Sequence, residues 1–220
     1  QASPVPTDAK TQVSPATAAA IRPLDHLASF GRDDDPALLL RSGVLTYEDL
    51  RSRIARLAGW LREQAPEHGA RVATWAAKGE LTCLMPLAAA RAGLVHVPVN
   101  PLLKRAQVAH ILADSGAALL IGSPARLATL EPEDIAPRCH GIAEDAALAE
   151  AAALDRALPP SEADPDALAA ILYTSGSTGR PKGVMLSHAN MWLGADSVAN
   201  YLGLARDDRT LAVLPLSFDY

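Results

Sequence analysis

Residues 172–188 read LYTSGSTGRPKGVMLSH, in which Thr174, Ser175, Ser177 and Thr178 alternate with Gly176 and Gly179 ahead of Arg180, Pro181 and Lys182. A loop of small hydroxyl residues and glycines can turn its backbone N–H groups inward and add O–H donors. It can therefore surround a phosphate chain with no bulky side chain in the way. Lys182 would supply a point charge, the glycines the close backbone approach, and Pro181 a stiff exit that aims the lysine. The plain alternative is a flexible Gly/Ser connection with one surface lysine. Against it, the stretch is short and lies between two apolar runs, where an ordered turn is expected. The nucleotide-hydrolase loop G-x-x-x-x-G-K-[ST] does not fit. Counted from Gly176, its second glycine falls on Pro181, and Gly183 follows Lys182 where a hydroxyl is required.

The remaining polar residues that stand out read more simply. His188 follows Ser187 at the start of a helical pattern, with no acid nearby in sequence, so an N-cap and a structural histidine are expected. His96 and His110 fall on strand and helix faces and are expected to be satisfied or partly buried, not ligands. Tyr47 at a helix start reads as packing, and Asp114 with Ser115 as a helix-ending turn. Cys83 and Cys139 are far apart, with no C-x-x-C and no histidine cluster, so neither a disulfide framework nor a zinc site is signalled.

The elements that must position the loop follow from periodicity. Thr46 and Asp49 resemble a capping box, and Leu50, Ile54, Leu57, Ala58 and Leu61 then share one helical face. Strand is expected at 70–76 (ARVATWA), helix at 80–93 (ELTCLMPLAAARAG), strand at 94–99 (LVHVPV), helix at 104–116 (KRAQVAHILADSG) and strand at 117–122 (AALLIG). Apolar strands alternating with helices predict an α/β fold of mostly parallel sheet covered by helices, with right-handed crossovers. Residues 155–166 (DRALPPSEADPD) read as a surface connection and 167–174 (ALAAILYT) as a buried strand leading into the loop. Residues 1–22 are expected to be a disordered tail, because Pro, Ser, Thr and Ala without apolar periodicity cannot offset their ordering entropy.

Composition narrows the classes further. The 220 residues are 49% hydrophobic, enough for a core, and carry a net charge of −5 with no basic block, which argues against a nucleic-acid partner. The apolar run LTCLMPLAAA ends at Arg91, too short for a membrane span. A reducing cytoplasm suits the isolated cysteines.

One known family shares these features. YTSGSTGRPKG, residues 173–183, resembles the phosphate-binding loop of the acyl-adenylate-forming enzymes: acyl-CoA synthetases, peptide-synthetase adenylation domains and luciferases. LTYEDL (45–50), RAGLVHVPVNP (91–101), ILADSGA (111–117), GVMLSHAN (183–190) and LPLSFDY (214–220) follow in the family's order. The resemblance implies residues 23–220 to be the N-terminal portion of the large domain of such an enzyme. It further implies ATP, Mg²⁺ and coenzyme A as cofactors, and a small carboxylic acid as substrate. The acyl group would pass to CoA or to a carrier-protein thiol. By the same resemblance Thr174, Ser175, Gly176, Ser177, Thr178 and Gly179 would wrap the β- and γ-phosphates, and Lys182 would act catalytically on the departing pyrophosphate. Phe218 and Asp219 would line the wall between the acyl pocket and ATP. The magnesium-binding glutamate, the adenine-binding motif and the small-domain lysine are expected beyond Tyr220, so the chain alone is expected to be inactive. An AMP-forming acid:CoA ligase leads, because VPVNPLL and GVMLSHANM are more like acyl-CoA synthetases. An amino-acid adenylation domain follows, through the likeness of FDY to F-D-x-S. A non-catalytic binding module is the third reading.

Overall fold

The computed structural model describes residues 20–175 and 180–217. Most of the expected tail, residues 1–19, lies outside them, and Ala20, Ile21 and Arg22 are exposed. A 3-10 turn, Leu24–Ser29, comes first, followed by an antiparallel hairpin of β1 (Pro36–Leu40) and β2 (Gly43–Thr46). Helix α1 (Tyr47–Gln64) begins at the expected capping box. The Asp49 N–H donates to Thr46 Oγ1 at 3.2 Å, and the Thr46 N–H donates back to Asp49 Oδ2 at 3.1 Å. That reciprocal bond holds the Asp49 carboxyl below its usual range.

Next come β3 (Arg71–Trp75), α2 (Glu80–Arg91), β4 (Val95–Pro98), α3 (Arg105–Ser115), β5 (Ala117–Gly122), the short α4 (Pro124–Leu127), β6 (His140–Ala143) and α5 (Glu144–Ala153). The chain then crosses to β7 (Leu168–Ser175), β8 (Pro181–Ser187) and α6 (His188–Leu202). The main sheet has the order β6-β5-β3-β4-β7-β8. All neighbours are parallel except β7 and β8, which pair antiparallel at one edge. The sequence expectation of a mostly parallel α/β sheet holds. The β1–β2 hairpin and the strand character of residues 181–187 were not anticipated.

Alternation along the strands divides the core in two. Val72, Leu119 and Ile121 face α1, α2 and α5, where Ile54, Leu57, Leu61, Leu84 and Met85 are at most 1% exposed. Ala73, Trp75, Val97 and Leu120 face α3 through Val108, Ile111 and Leu112. Full burial of each large aliphatic contributes roughly 1.5–3 kcal/mol, which fixes both helical layers against the sheet. Gly116, at φ +64°, ends α3 in a left-handed cap, as only glycine does without strain. Pro86 lies inside α2, so the Thr82 carbonyl lacks its usual intrahelical N–H donor. Near its start, the Thr82 hydroxyl instead accepts from the Gly79 N–H at 2.9 Å and donates to the Gly79 carbonyl at 3.0 Å.

Candidate functional site

The lysine loop sits on the antiparallel edge of the sheet. β7 and β8 pair in the register Tyr173↔Gly183, Thr174↔Lys182 and Ser175↔Pro181, so they are the two antiparallel legs of a hairpin, with residues 176–179 between them in sequence. Thr174 is half-buried, and directly opposite it Lys182 is exposed. Lys182 enters none of the ion pairs formed among the described residues. Ser175 closes β7, and its backbone pairs with Pro181. Gly176, Ser177, Thr178 and Gly179, and the expected pocket residues Phe218 and Asp219, lie outside the described residues.

The legs of the hairpin are held from α3. Tyr173 donates its hydroxyl proton to Asp114 Oδ2 at 2.6 Å, and His110 Nε2–H donates to the Pro181 carbonyl at 3.1 Å. Burial and then the Asp114 bond push the Tyr173 phenol well above its ordinary pKa, so it stays a donor. Ser115 donates to the Ile111 carbonyl at 2.7 Å, consistent with the expected helix-ending turn, whereas Asp114 reaches outward to the sheet edge.

A crevice lies at the carboxyl ends of β3 and β4. The two strands are neighbours, yet the helices that follow them, α2 and α3, pack on opposite faces of the sheet, which opens a gap between their ends. It is lined by Thr74, Lys78, Thr82, His96 and Pro98 below and by Pro215–Ser217 above. Lys78 Nζ donates to the carbonyls of Ala212 and Leu214, which ties the covering segment down. Ser217 Oγ is buried and finds no partner among the described residues. Sequence reasoning singled out His96 in this crevice but missed Thr74, Lys78 and Thr82. A threonine and a histidine inside apolar strands were the available signal.

His96 is 4% exposed, with Nε2 at 3.2 Å from Thr74 Oγ1. Burial pushes its pKa from 6.5 down to about 3. Between those values the unfolded chain binds a proton that the folded chain refuses. Its contribution is therefore complete above pH 6.5 and lost as pH falls toward 3. Wild type is expected to lose about 1 kcal/mol more unfolding free energy between pH 6 and pH 5 than His96→Gln does. Equal losses in urea titrations of the two proteins would place the titration elsewhere.

The other singled-out groups are structural. His188 is 2% exposed and accepts at Nδ1 from the Leu24 N–H at 3.2 Å, and burial lowers its pKa against the pull of Asp25. Ser187 caps α6 as expected, its Oγ accepting from the Asn190 N–H at 3.1 Å. Asp25, fully buried, pairs with Arg91 Nε at 3.0 Å. Both cysteines are free. Burial raises the Cys83 thiol and takes Cys139 to about 11, so neither is an activated nucleophile.

The mostly parallel sheet flanked by helices is shared with solved adenylate-forming enzymes. ATP-bound MatB from Rhodopseudomonas palustris superposes with a TM-score of 0.74 at 28% identity, covering 89% of this chain and 41% of that one. A benzoate CoA ligase from Burkholderia xenovorans LB400 superposes at 0.73 and 26% identity, covering 84% and 38%. The chain belongs to the AMP-binding enzyme family, which it matches over residues 26–220. It is 37% identical over 173 residues to a feruloyl-CoA synthase of an Amycolatopsis species, covering 79% of this chain and 34% of the relative. To an L-proline–[L-prolyl-carrier protein] ligase of Pseudomonas fluorescens it is 34% identical over 202 residues, covering 90% and 40%. The chain thus spans well under half the length of these relatives.

Proposed function

We propose that the protein activates a carboxylic acid with ATP, forming an acyl-adenylate and pyrophosphate, and then passes the acyl group to coenzyme A. The observation that carries the reading is the register of the hairpin, which sets Lys182 opposite Thr174 at the mouth of a loop rich in backbone and hydroxyl donors. A carboxylate attacking a phosphate brings like charges together. The work required of the protein is to neutralise the triphosphate and hold it in line, not to form a covalent bond to it. In this reading Thr174 and Ser175 lead into the cradle, Gly176, Ser177, Thr178 and Gly179 wrap the β- and γ-phosphates, and Lys182 holds the leaving pyrophosphate. The described residues include no cluster of three His, Cys, Asp or Glu side chains that could hold a metal. The glutamate that would hold Mg²⁺ in this reading is the one expected beyond Tyr220.

The covered crevice suits the acid. Its floor of Thr74, His96 and Pro98 lies beneath Pro215–Ser217, and the chain runs on from Ser217 directly into Phe218 and Asp219. Coenzyme A is favoured as acceptor by the feruloyl-CoA synthase likeness and by VPVNPLL. The prolyl-carrier ligase likeness supports the second reading, an amino-acid adenylation domain. A cytoplasmic setting fits two cysteines kept as free thiols, and no helix among the described residues is long and apolar enough to cross a membrane.

The test is a pyrophosphate-release screen of the intact protein with fatty, aryl and α-amino acids, followed by thioester assay with CoA. Turnover on acids without an α-ammonium group, surviving Asp219→Ala and yielding acyl-CoA, is the expected result. Activity confined to α-amino acids and abolished by Asp219→Ala would establish the second reading instead.

A further inference from the structure

A loop made of Gly176, Ser177, Thr178 and Gly179 has no apolar side chain with which to anchor itself. Its donors can only be as well placed as the strands that carry it. Displacement of a reacting group by about 1 Å can cost on the order of a hundredfold in rate, so the feet of the hairpin must be held firmly. β7 is tied to the rest of the sheet by pairing with β4, in the register His96↔Ala170 near its start, whereas β8 is an edge strand paired on one side only, so the ends of both strands next to the loop need support from outside the sheet.

We propose that His110 and Asp114, one turn apart on α3, are positioning residues for the phosphate loop, gripping one foot through the Pro181 carbonyl and the other through the Tyr173 hydroxyl. The inference rests on the adenylation reading given above.

Three features of the geometry support it. The i, i+4 spacing puts both side chains on one face of α3, the face turned to the sheet edge, so a single rigid helix addresses both strands. The two gripped positions bracket Lys182 in the register: Pro181 precedes it, and Tyr173 lies opposite Gly183, which follows it. Side chains alternate along a strand, so Tyr173 faces α3 while Thr174 and its partner Lys182 face away from it. The clamp therefore fixes the lysine without occupying its face.

Gly183 makes the arrangement possible. A Cβ there would stand 2.7 Å from Ile171 Cγ2 and 3.1 Å from Tyr173 Cζ, so the tyrosine ring uses the space that the missing side chain leaves. An alanine would push the ring off β8 and its hydroxyl away from Asp114. A glycine after Lys182 thus has a steric role at a position where the nucleotide-hydrolase loop carries a metal-binding hydroxyl.

The experiment compares Tyr173→Phe, His110→Ala, His110→Gln and Gly183→Ala with wild type in the intact protein. Two rates are read: ATP–pyrophosphate exchange as a function of ATP, and thioester formation from synthetic acyl-adenylate. Tyr173→Phe keeps the ring and its packing, and each deletion removes only one hydrogen bond, so melting temperatures should fall by no more than a few degrees. The expected result is a loss of about tenfold in kcat/KM for ATP in Tyr173→Phe, His110→Ala and Gly183→Ala, with the thioester step unchanged. His110→Gln, whose amide N–H can reach the same carbonyl, should recover most of it. Wild-type exchange in Tyr173→Phe and His110→Ala would overturn the inference while leaving the adenylation reading intact. So would losses that are equal in both steps and follow the drop in stability. Absence of any exchange by wild type across the acid screen would overturn the adenylation reading, and the inference with it.

Discussion

Lys182→Ala is expected to slow the adenylation half-reaction of the intact protein by roughly ten- to a hundredfold, while thioester formation from pre-made acyl-adenylate is largely retained. Lys182 is exposed, stands opposite Thr174, and makes no ion pair with another described residue. Its removal therefore leaves no buried charge behind among them, and stability should change little. On the proposed reading, what is lost is a charge-assisted contact to a phosphate, which costs about 1.5–3 kcal/mol where it acts in the transition state. Arginine should restore only part of the rate, because a planar fork does not place its charge where a compact ammonium does. Single-turnover assays of the two half-reactions decide the matter. Equal losses in both would make Lys182 a folding residue.

The contrast between Lys182 and its surroundings shows which information is local. The family was legible at the loop because a run of Gly, Ser, Thr, Pro and Lys is distinctive over a dozen consecutive positions. Helix α1 was legible for the same reason, since Thr46, Asp49 and the aliphatic face from Leu50 to Leu61 fall within a few turns. The ends of α2 and α3 were marked by Gly93 and Gly116, both at positive φ. Strand β8 was not, because PKGVMLS is an edge strand exposed on both faces from Lys182 to Met185, and its apolar run, Val184–Leu186, is too short to tell strand from helix. The grip of α3 on the hairpin was invisible as well. His110 and Pro181 are 71 residues apart, Asp114 and Tyr173 59 apart, and no periodicity along the chain links them. His110 was expected to be satisfied, and it is; its partner could come only from the fold. Likewise His188 has no acid near it in sequence, yet Asp25 acts on its ring in the structure.

Asp25 supplies the second large effect. Its side chain is fully buried and its Oδ2 accepts from Arg91 Nε and from the Ser161 N–H, both at 3.0 Å, while Arg91 is 6% exposed. Three distant pieces meet there: the first turn, the end of α2, and the connection that leads into β7. The adjacent residue, Leu24, donates its N–H to His188 at the start of α6. The first turn thus ties down the chain both before β7 and after β8, on either side of the loop hairpin. Removing one partner of a buried pair leaves an uncompensated charge away from water, which typically costs about 3–5 kcal/mol. Against a total stability of about 5–15 kcal/mol that is a large share. Asp25→Ala is therefore expected to lower the melting temperature by on the order of 10 °C. Replacing both partners removes both desolvation costs, so Asp25→Leu with Arg91→Met should recover a substantial part of what either single change loses. Because Asp25 also accepts from the Ser161 N–H, the single variant should expose the connection around Ser161 to protease before global unfolding, and the double variant should recover stability but not this protection, since leucine cannot accept that bond. Losses in the two single variants that add in the double, with no early cleavage at that connection, would show that Asp25 and Arg91 contribute independently and that the hairpin is anchored by other contacts.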